Sequence, residues 1–317
     1  MKGKISTLII DIGIWFVWVV VRPVLDCLPL SMSYFFADVA AKLFFLADTK
    51  RRNTLAEEIE MLYGARFNKK EVDTIVRKSL EIYLKRQVEN LIFGGFTKDK
   101  LDKLVSIQGM EHLQESLQKG KGVILLTAHF GSFLLPLPVL GYKGYNIIQV
   151  AGKPLLENNR RIYRKLFEIR KRETDRLPIS FIQTDKYLGS VVKALNKNEI
   201  IVLAFDGRTG NKRFPVQFLD RTAQFSPGPF NMALKTGAAI IPTFMVRDKN
   251  DKHTLILEPP FEMELVDNKE ETLKMNTIKF ARIFEKYLLN YPCHFGMILY
   301  CTRKEAERGL NIPLFTD

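Results

Sequence analysis

Between about Val105 and Leu257 the chain alternates short apolar runs with amphipathic stretches. That alternation constrains the fold more than any other feature. Strand candidates fall at Val105–Ile107, Gly122–Ala128, Tyr145–Val150, Pro178–Ile182, Ile200–Phe205, Ala238–Val246 and Thr254–Leu257. Helical stretches lie between them at about 110–119, 132–140, 155–172, 185–197 and 226–236. Gly122–Ala128 reads GVILLTA, the continuous apolar run of a strand buried on both faces. The pattern predicts an α/β fold: a mixed, mostly parallel central sheet with helices on both faces. Glu270 to Leu289 adds a final amphipathic helix with Leu273, Ile278, Phe284 and Leu288 on its apolar side.

The region before the sheet reads differently. Residues 31–93 look helical, with a capping-box start at Thr54 and Glu57 for a helix through Leu62. A second helix runs from Lys69 to Phe93 and stops at Gly94-Gly95. Leu8 to Val21 (LIIDIGIWFVWVVV) is apolar all round and is followed by Arg22-Pro23. Such a helix is either sunk in lipid, as an anchor or monotopic insertion, or buried in protein. Lys2, Lys4 and Lys50-Arg51-Arg52 favour the cytoplasmic face. The expected division is 1–30 as a membrane-associating helix, 31–104 as a helical region and 105–317 as the α/β domain. The last two are expected to form one catalytic unit.

Charge and cysteine content narrow the function. Lys plus Arg total 48 against 35 Asp plus Glu, for a net charge of +13, and 46% of residues are hydrophobic. A disordered tail, a collagen-like fibre and a disulfide scaffold are excluded, as is a polytopic transporter. Cys27, Cys293 and Cys301 are widely spaced and form no C-x-x-C, so they read as free thiols in a reducing compartment. A basic balance can serve nucleic acid, anionic membrane or phosphorylated substrates. No helix-turn-helix, RRM, KH or zinc-finger pattern exists, and acids are interleaved with the bases, which disfavours nucleic acid.

In an open α/β sheet, ligands meet the loops at the carboxyl ends of strands. Two segments place unusual residues there: Thr127-Ala128-His129-Phe130-Gly131-Ser132-Phe133 after GVILL, and Phe205-Asp206-Gly207-Arg208 through Lys212-Arg213 after IIVLA. His129 suits a general base and equally suits a helix cap or a carbonyl partner. The second loop carries the carboxylate of Asp206 and the cations Arg208, Lys212 and Arg213. It reads as an anion site or as a solvated turn. Neither segment has a phosphate-loop spacing. His112, His253 and His294 sit in surface-like or mixed contexts.

Taken in order, these residues resemble the glycerolipid and lysophospholipid acyltransferase superfamily, and more closely its lipid A late (lauroyl/myristoyl) acyltransferase branch. Ala128-His129-Phe130-Gly131-Ser132-Phe133-Leu134 is similar to that branch's T/A-H-F-G-N-W-E, and Asp206-Gly207-Arg208-Thr209 to the superfamily's E-G-T-R. Phe218-Leu219-Asp220, Ser226 to Pro229, and Lys235 to Pro242 follow the branch's later pattern. Lys153-Pro154-Leu155 with Asn158-Asn159-Arg160, and Tyr291-Pro292-Cys293-His294-Phe295, match two further elements, the last with Phe in place of Trp. The resemblance runs from about residue 8 to 303. It implies a membrane-associated acyltransferase on the cytoplasmic face of the bacterial inner membrane. It further implies direct transfer from acyl carrier protein or acyl-CoA to a hydroxyl or amine of a lipid or glycolipid, with no cofactor and no metal. His129 is then the base, and Ser132, Arg160, Arg208, Lys212 and Arg213 are the substrate-binding residues. One departure stands out. Five residues after the histidine, where the family carries an acid, this chain has Leu134. Either Asp206 supplies the carboxylate from the facing loop, or His129 works unaided, or the chain is a non-catalytic relative that binds lipid or acyl carrier.

Overall fold

The computed structural model describes residues 11–151, 161–183, 187–207, 212–309 and 313–316. Seven strands form the central sheet: β1 (Val105–Gln108), β2 (Val123–Thr127), β3 (Ile147–Ala151), β4 (Ile179–Gln183), β5 (Ile200–Ala204), β8 (Ala239–Arg247) and β9 (His253–Leu257). Their order is β1-β9-β8-β2-β5-β3-β4. Neighbours run parallel except the antiparallel pair β8–β9, so the sheet is mixed and mostly parallel. Every residue of β2 is buried and so is nearly all of β5, which is why both read as unbroken apolar runs. Between β5 and β8 lies an unexpected antiparallel hairpin, β6 (Phe214–Phe218) and β7 (Arg221–Phe225). Its two-residue turn, Leu219-Asp220, lacks the Asn-Gly type of signal. Leu219 takes φ +51°, and its N–H donates to Glu285 Oε1 at 2.7 Å.

The helices are α1 (Arg22–Cys27), α2 (Leu30–Ala47), α3 (Thr49–Tyr63), α4 (Lys69–Leu91), α5 (Lys98–Leu104), α6 (Met110–Gln118), α7 (Pro136–Gly141), α8 (Arg161–Thr174), α9 (Tyr187–Asn196), α10 (Gly228–Thr236), α11 (Lys269–Asn290) and α12 (Gly296–Glu307). α4 opens on a capping box made by Asn68 and Glu71. The box expected at Thr54 does not form. α3 starts earlier, capped by Asp48, whose side chain accepts from the Arg51 N–H at 3.0 Å, and Thr54 is buried inside the helix.

Among the described residues, α2 is the helix long and apolar enough to cross a membrane. Residues 1–10 lie outside the described part. From Asp11 the chain is helical, with a π-helical stretch at Val17–Val21. Among the described residues, thirteen of the nineteen exposed large apolar side chains fall between Ile12 and Leu46, including Trp15, Phe35, Leu43 and Leu46. The apolar surface is therefore concentrated on the N-terminal helices instead of being scattered singly.

A buried charge network fastens those helices to the sheet. Glu89 of α4 accepts from the Arg247 guanidinium of β8, from His253 Nε2 of β9 at 3.1 Å and from the Tyr34 hydroxyl of α2 at 2.5 Å. Lys85 bridges Asp38 at 2.8 Å and Asp251 at 2.8 Å. A phenylalanine cluster, including Phe130, Phe205, Phe244 and Phe284, belongs to the larger hydrophobic core, which also holds Val72, Val76 and Leu80 of α4.

Candidate active site

The register of the two central strands builds the site. β2 and β5 are parallel neighbours, and their last paired residues are Thr127 and Ala204. The Phe205 N–H continues the ladder by donating to the Thr127 carbonyl at 2.7 Å. Two residues beyond that pair, following adjacent strands, stand His129 and Asp206. Each loop is pinned by a neighbouring phenylalanine, Phe130 at 0% and Phe205 at 1% exposure. Phe130 stacks on the His294 ring with centres 5.0 Å apart, and Phe205 on Phe225 at 4.2 Å. Gly131 turns the first loop at φ +55°. A Cβ there would lie 2.4 Å from the Met245 carbonyl oxygen, so only glycine fits.

Asp206 Oδ1 lies 3.0 Å from His129 Nδ1 and accepts the backbone N–H of His129, also at 3.0 Å. The carboxylate is sealed (side chain 2% exposed), whereas the imidazole is 40% exposed. Burial alone would push the Asp206 carboxyl up. The imidazole beside it and the backbone N–H groups outweigh burial and hold it below the ordinary carboxylate range. With Nδ1–H donated to Asp206, a neutral His129 carries its lone pair on Nε2. This is the tautomer that a general base requires. Leu134, at the position where the resemblance calls for an acid, packs with the apolar cluster of Leu135, Leu137 and Leu140.

The other sequence candidates are placed as follows. Arg208 and Arg160 lie outside the described residues. Lys212 is half exposed and pairs with Glu270 at 3.0 Å. Arg213 donates to the Gly207 carbonyl at 3.3 Å and to the Gln224 carbonyl at 3.1 Å, tying the hairpin to the Asp206 turn. Ser132 is buried, with Oγ accepting from Arg247 at 3.3 Å. The surface-like contexts of His253 and His294 are deceptive: both are buried, His253 against Glu89 and His294 with Nε2 accepting the Arg247 N–H at 2.9 Å. His112 contacts the Leu257 carbonyl at 2.9 Å.

Residues 1–300 match the family model described as bacterial lipid A biosynthesis acyltransferase. The chain belongs to that family. The protein is an acyltransferase, and its relatives agree across nearly the whole length. It is 24% identical over 309 residues to the lipid A biosynthesis lauroyltransferase of Escherichia coli strain K12, covering 95% of this chain and 92% of the relative. It is 23% identical over 270 residues to the palmitoleoyltransferase of the same strain, and equally to a lipid A biosynthesis acyltransferase of Shigella flexneri. In both cases 83% of each chain is covered.

Two contacts of this acyltransferase's site are set by packing. Phe133 packs edge-on against His129 with ring centres 4.8 Å apart, and Arg86 of α4 lies 5.6 Å from the Phe133 ring centre. Arg86 sits 43 residues before the histidine on a helix that reads as ordinary core. Only the packing of α4 beneath the first loop brings it there. The Lys85–Glu89 spacing on that helix could have hinted at charges on one face.

Proposed function

We propose that the protein moves a fatty acyl chain from a thioester on acyl carrier protein or coenzyme A to a hydroxyl, or amine, of a lipid A-type glycolipid. The reaction takes place at the cytoplasmic face of the bacterial inner membrane. The observation that carries this is the bond between His129 Nδ1 and a sealed Asp206 carboxylate at the end of two central strands. His129 Nε2 takes the proton from the acceptor hydroxyl as its oxygen attacks the thioester carbonyl. The tetrahedral oxyanion collapses, the C–S bond breaks, and the thiolate takes the proton back from the imidazolium. Asp206 holds the ring in place and balances its transient charge. The thioester is a co-substrate, and the transfer asks for no cofactor.

Arg213 and Lys212 supply a positive rim for phosphates of acceptor or donor, and Arg208 and Arg160, outside the described residues, remain candidates for the same role by the resemblance alone. The exposed apolar side chains of Asp11–Ala47 support docking on a bilayer, where both acyl chain and acceptor reside. Leu134 raises the rival reading of a lipid-binding relative without turnover, and the carboxylate of Asp206 on the imidazole favours catalysis. The test uses the full chain in detergent with an acyl thioester and a lipid A precursor. Wild type should acylate the precursor and His129→Ala should not. Equal turnover in both would sink the catalytic reading.

A further inference from the structure

On α4, Lys85 and Glu89 belong to the buried charge network, but Arg86 between them does not. Arg86 is 7% exposed, its Nε is buried without a hydrogen-bond partner, and among the described residues no carboxylate pairs with its guanidinium. Its Cζ instead lies 5.2 Å from the centre of the Tyr83 ring and 5.6 Å from that of Phe133. Phe133 touches the His129 imidazole, so the guanidinium and the proposed base flank one aromatic ring.

Burial pulls the Arg86 pKa below its ordinary value, and the nearby Tyr83, Cys301, Glu89 and Asp206 only partly offset this. A desolvated cation with unused donors beside a reaction centre is a poor structural element. Removing a charge from water costs free energy that the Tyr83 and Phe133 rings return only in part. A bound anion would return it, and the forked donors of a guanidinium suit the oxygens of a phosphate.

We propose that Arg86 binds a phosphate of the substrate at the acyl-transfer site. The inference rests on the acyltransferase reading and names a substrate contact within it. Two substrates could bring a phosphate: the acceptor's headgroup, or the pantetheine arm of the donor. Geometry favours the acceptor. Only one aromatic ring separates Arg86 from His129, where the accepting hydroxyl binds. The donor's phosphate stands a whole pantetheine arm away from its thioester.

The first test is a thermal melt of the detergent-purified full chain against inorganic phosphate, with chloride at matched ionic strength as control. Arg86→Met should melt no lower than wild type without ligand. Its half-maximal phosphate concentration should rise at least about tenfold, the equivalent of one lost charge-assisted contact. Equal midpoints in the two proteins, or no phosphate-dependent shift in wild type, overturn the proposal. If Arg86→Met does not fold, Arg86→Lys replaces it, and a midpoint within about twofold of wild type overturns it. This binding test needs no turnover, so its failure is distinct from failure of the acyl-transfer reading.

Steady-state kinetics then separate the sources. The KM for the phosphorylated acceptor should rise about tenfold in Arg86→Met, with kcat and the thioester KM within about threefold of wild type. A dephosphorylated acceptor should be used equally by both proteins. A rise confined to the thioester KM overturns the acceptor assignment in favour of the donor's phosphate. A fall in kcat with both KM values unchanged overturns phosphate binding altogether.

Discussion

Two clusters of the same chemical types lie back to back in this fold. One is His129 with Asp206. The other is His253 and His294 with Glu89 and Arg247, joined to the first loop through Ser132. Both hold their carboxylates below the ordinary range. In each, burial works upward and is outweighed, by the imidazole and backbone N–H groups at Asp206, and by the Arg247 guanidinium and His253 at Glu89. They differ in access. The His129 side chain is 40% exposed, whereas His253 and His294 are 1% and 6% exposed. A proton can be exchanged with a substrate only where the ring can be reached. The same groups, once sealed, clamp α2 and α4 onto β8 and β9.

The sharpest way to break this contrast is to remove one member of each cluster and read rate and stability separately. His129→Ala should lower kcat/KM by about a thousandfold, near 4 kcal/mol of transition-state stabilisation, with little change in melting temperature. Asp206→Asn should cost a comparable factor, because the ring loses the acceptor that fixes its tautomer. A rate within threefold of wild type would mean that His129 works without its carboxylate. Glu89→Ala should do the opposite. It leaves the Arg247 charge buried and unpaired, so unfolding should become easier by about 3–5 kcal/mol in a denaturant titration. Glu89→Ala protein that stays as stable as wild type yet loses turnover would move the network into the chemistry.

The two clusters were not equally legible in the sequence. The sheet was readable because buried parallel strands such as Val123–Thr127 are apolar at all but the last position, and no surface requirement masks the pattern. His129 and Asp206 were readable because strand ends are marked by where such runs stop. Their bond was legible only as one of three alternatives, since choosing it depends on β2 and β5 being neighbours, a pairing that joins residues 77 apart in the chain. The buried network was invisible for a related reason. Glu89, Arg247 and His253 each sit among polar or charged neighbours, and only tertiary contact reveals that they satisfy one another. The hairpin after β5 escaped because Leu219 occupies a positive-φ position that turn statistics reserve for Gly and Asn. The capping box at Thr54 misled because Asp48, six residues earlier, caps the helix first.

A gentler test uses pH. Burial first, then the Arg247 and His253 charges, lower His294 to about 3 from an ordinary value near 6.5. Above about pH 6.5 the group is neutral in both the folded and the unfolded chain. Between about 6.5 and 3 the unfolded chain takes up a proton that the fold refuses, so stability falls with falling pH by about 1.4 kcal/mol per unit from this group alone. Asp206 and Glu89, held low, keep their full contribution only well above their ordinary values of 3.8 and 4.5, and lose it as pH falls below those values toward the folded ones. The window from about pH 6.5 to 5.5 therefore lies above the range in which these two carboxylates contribute a slope. His294→Gln should flatten the stability slope there by about that amount. Equal slopes would show that His294 is as open to protons as His129, and the difference in access would be lost.

The smallest effect is expected at the outer edge of the site. Lys212 meets Glu270 at 3.0 Å with both side chains more than half exposed, so their attraction is screened and offset by the entropy of two long side chains. Lys212→Ala should change stability by less than about 1 kcal/mol. If Lys212 belongs to the positive rim, KM for an anionic substrate should rise about twofold to threefold at low salt and return to the wild-type value near 0.5 M salt, where charges this far into solvent no longer act at a distance. A KM effect that persists at high salt would place Lys212 in direct contact with substrate, inside the boundary that separates the exposed dyad from its surroundings.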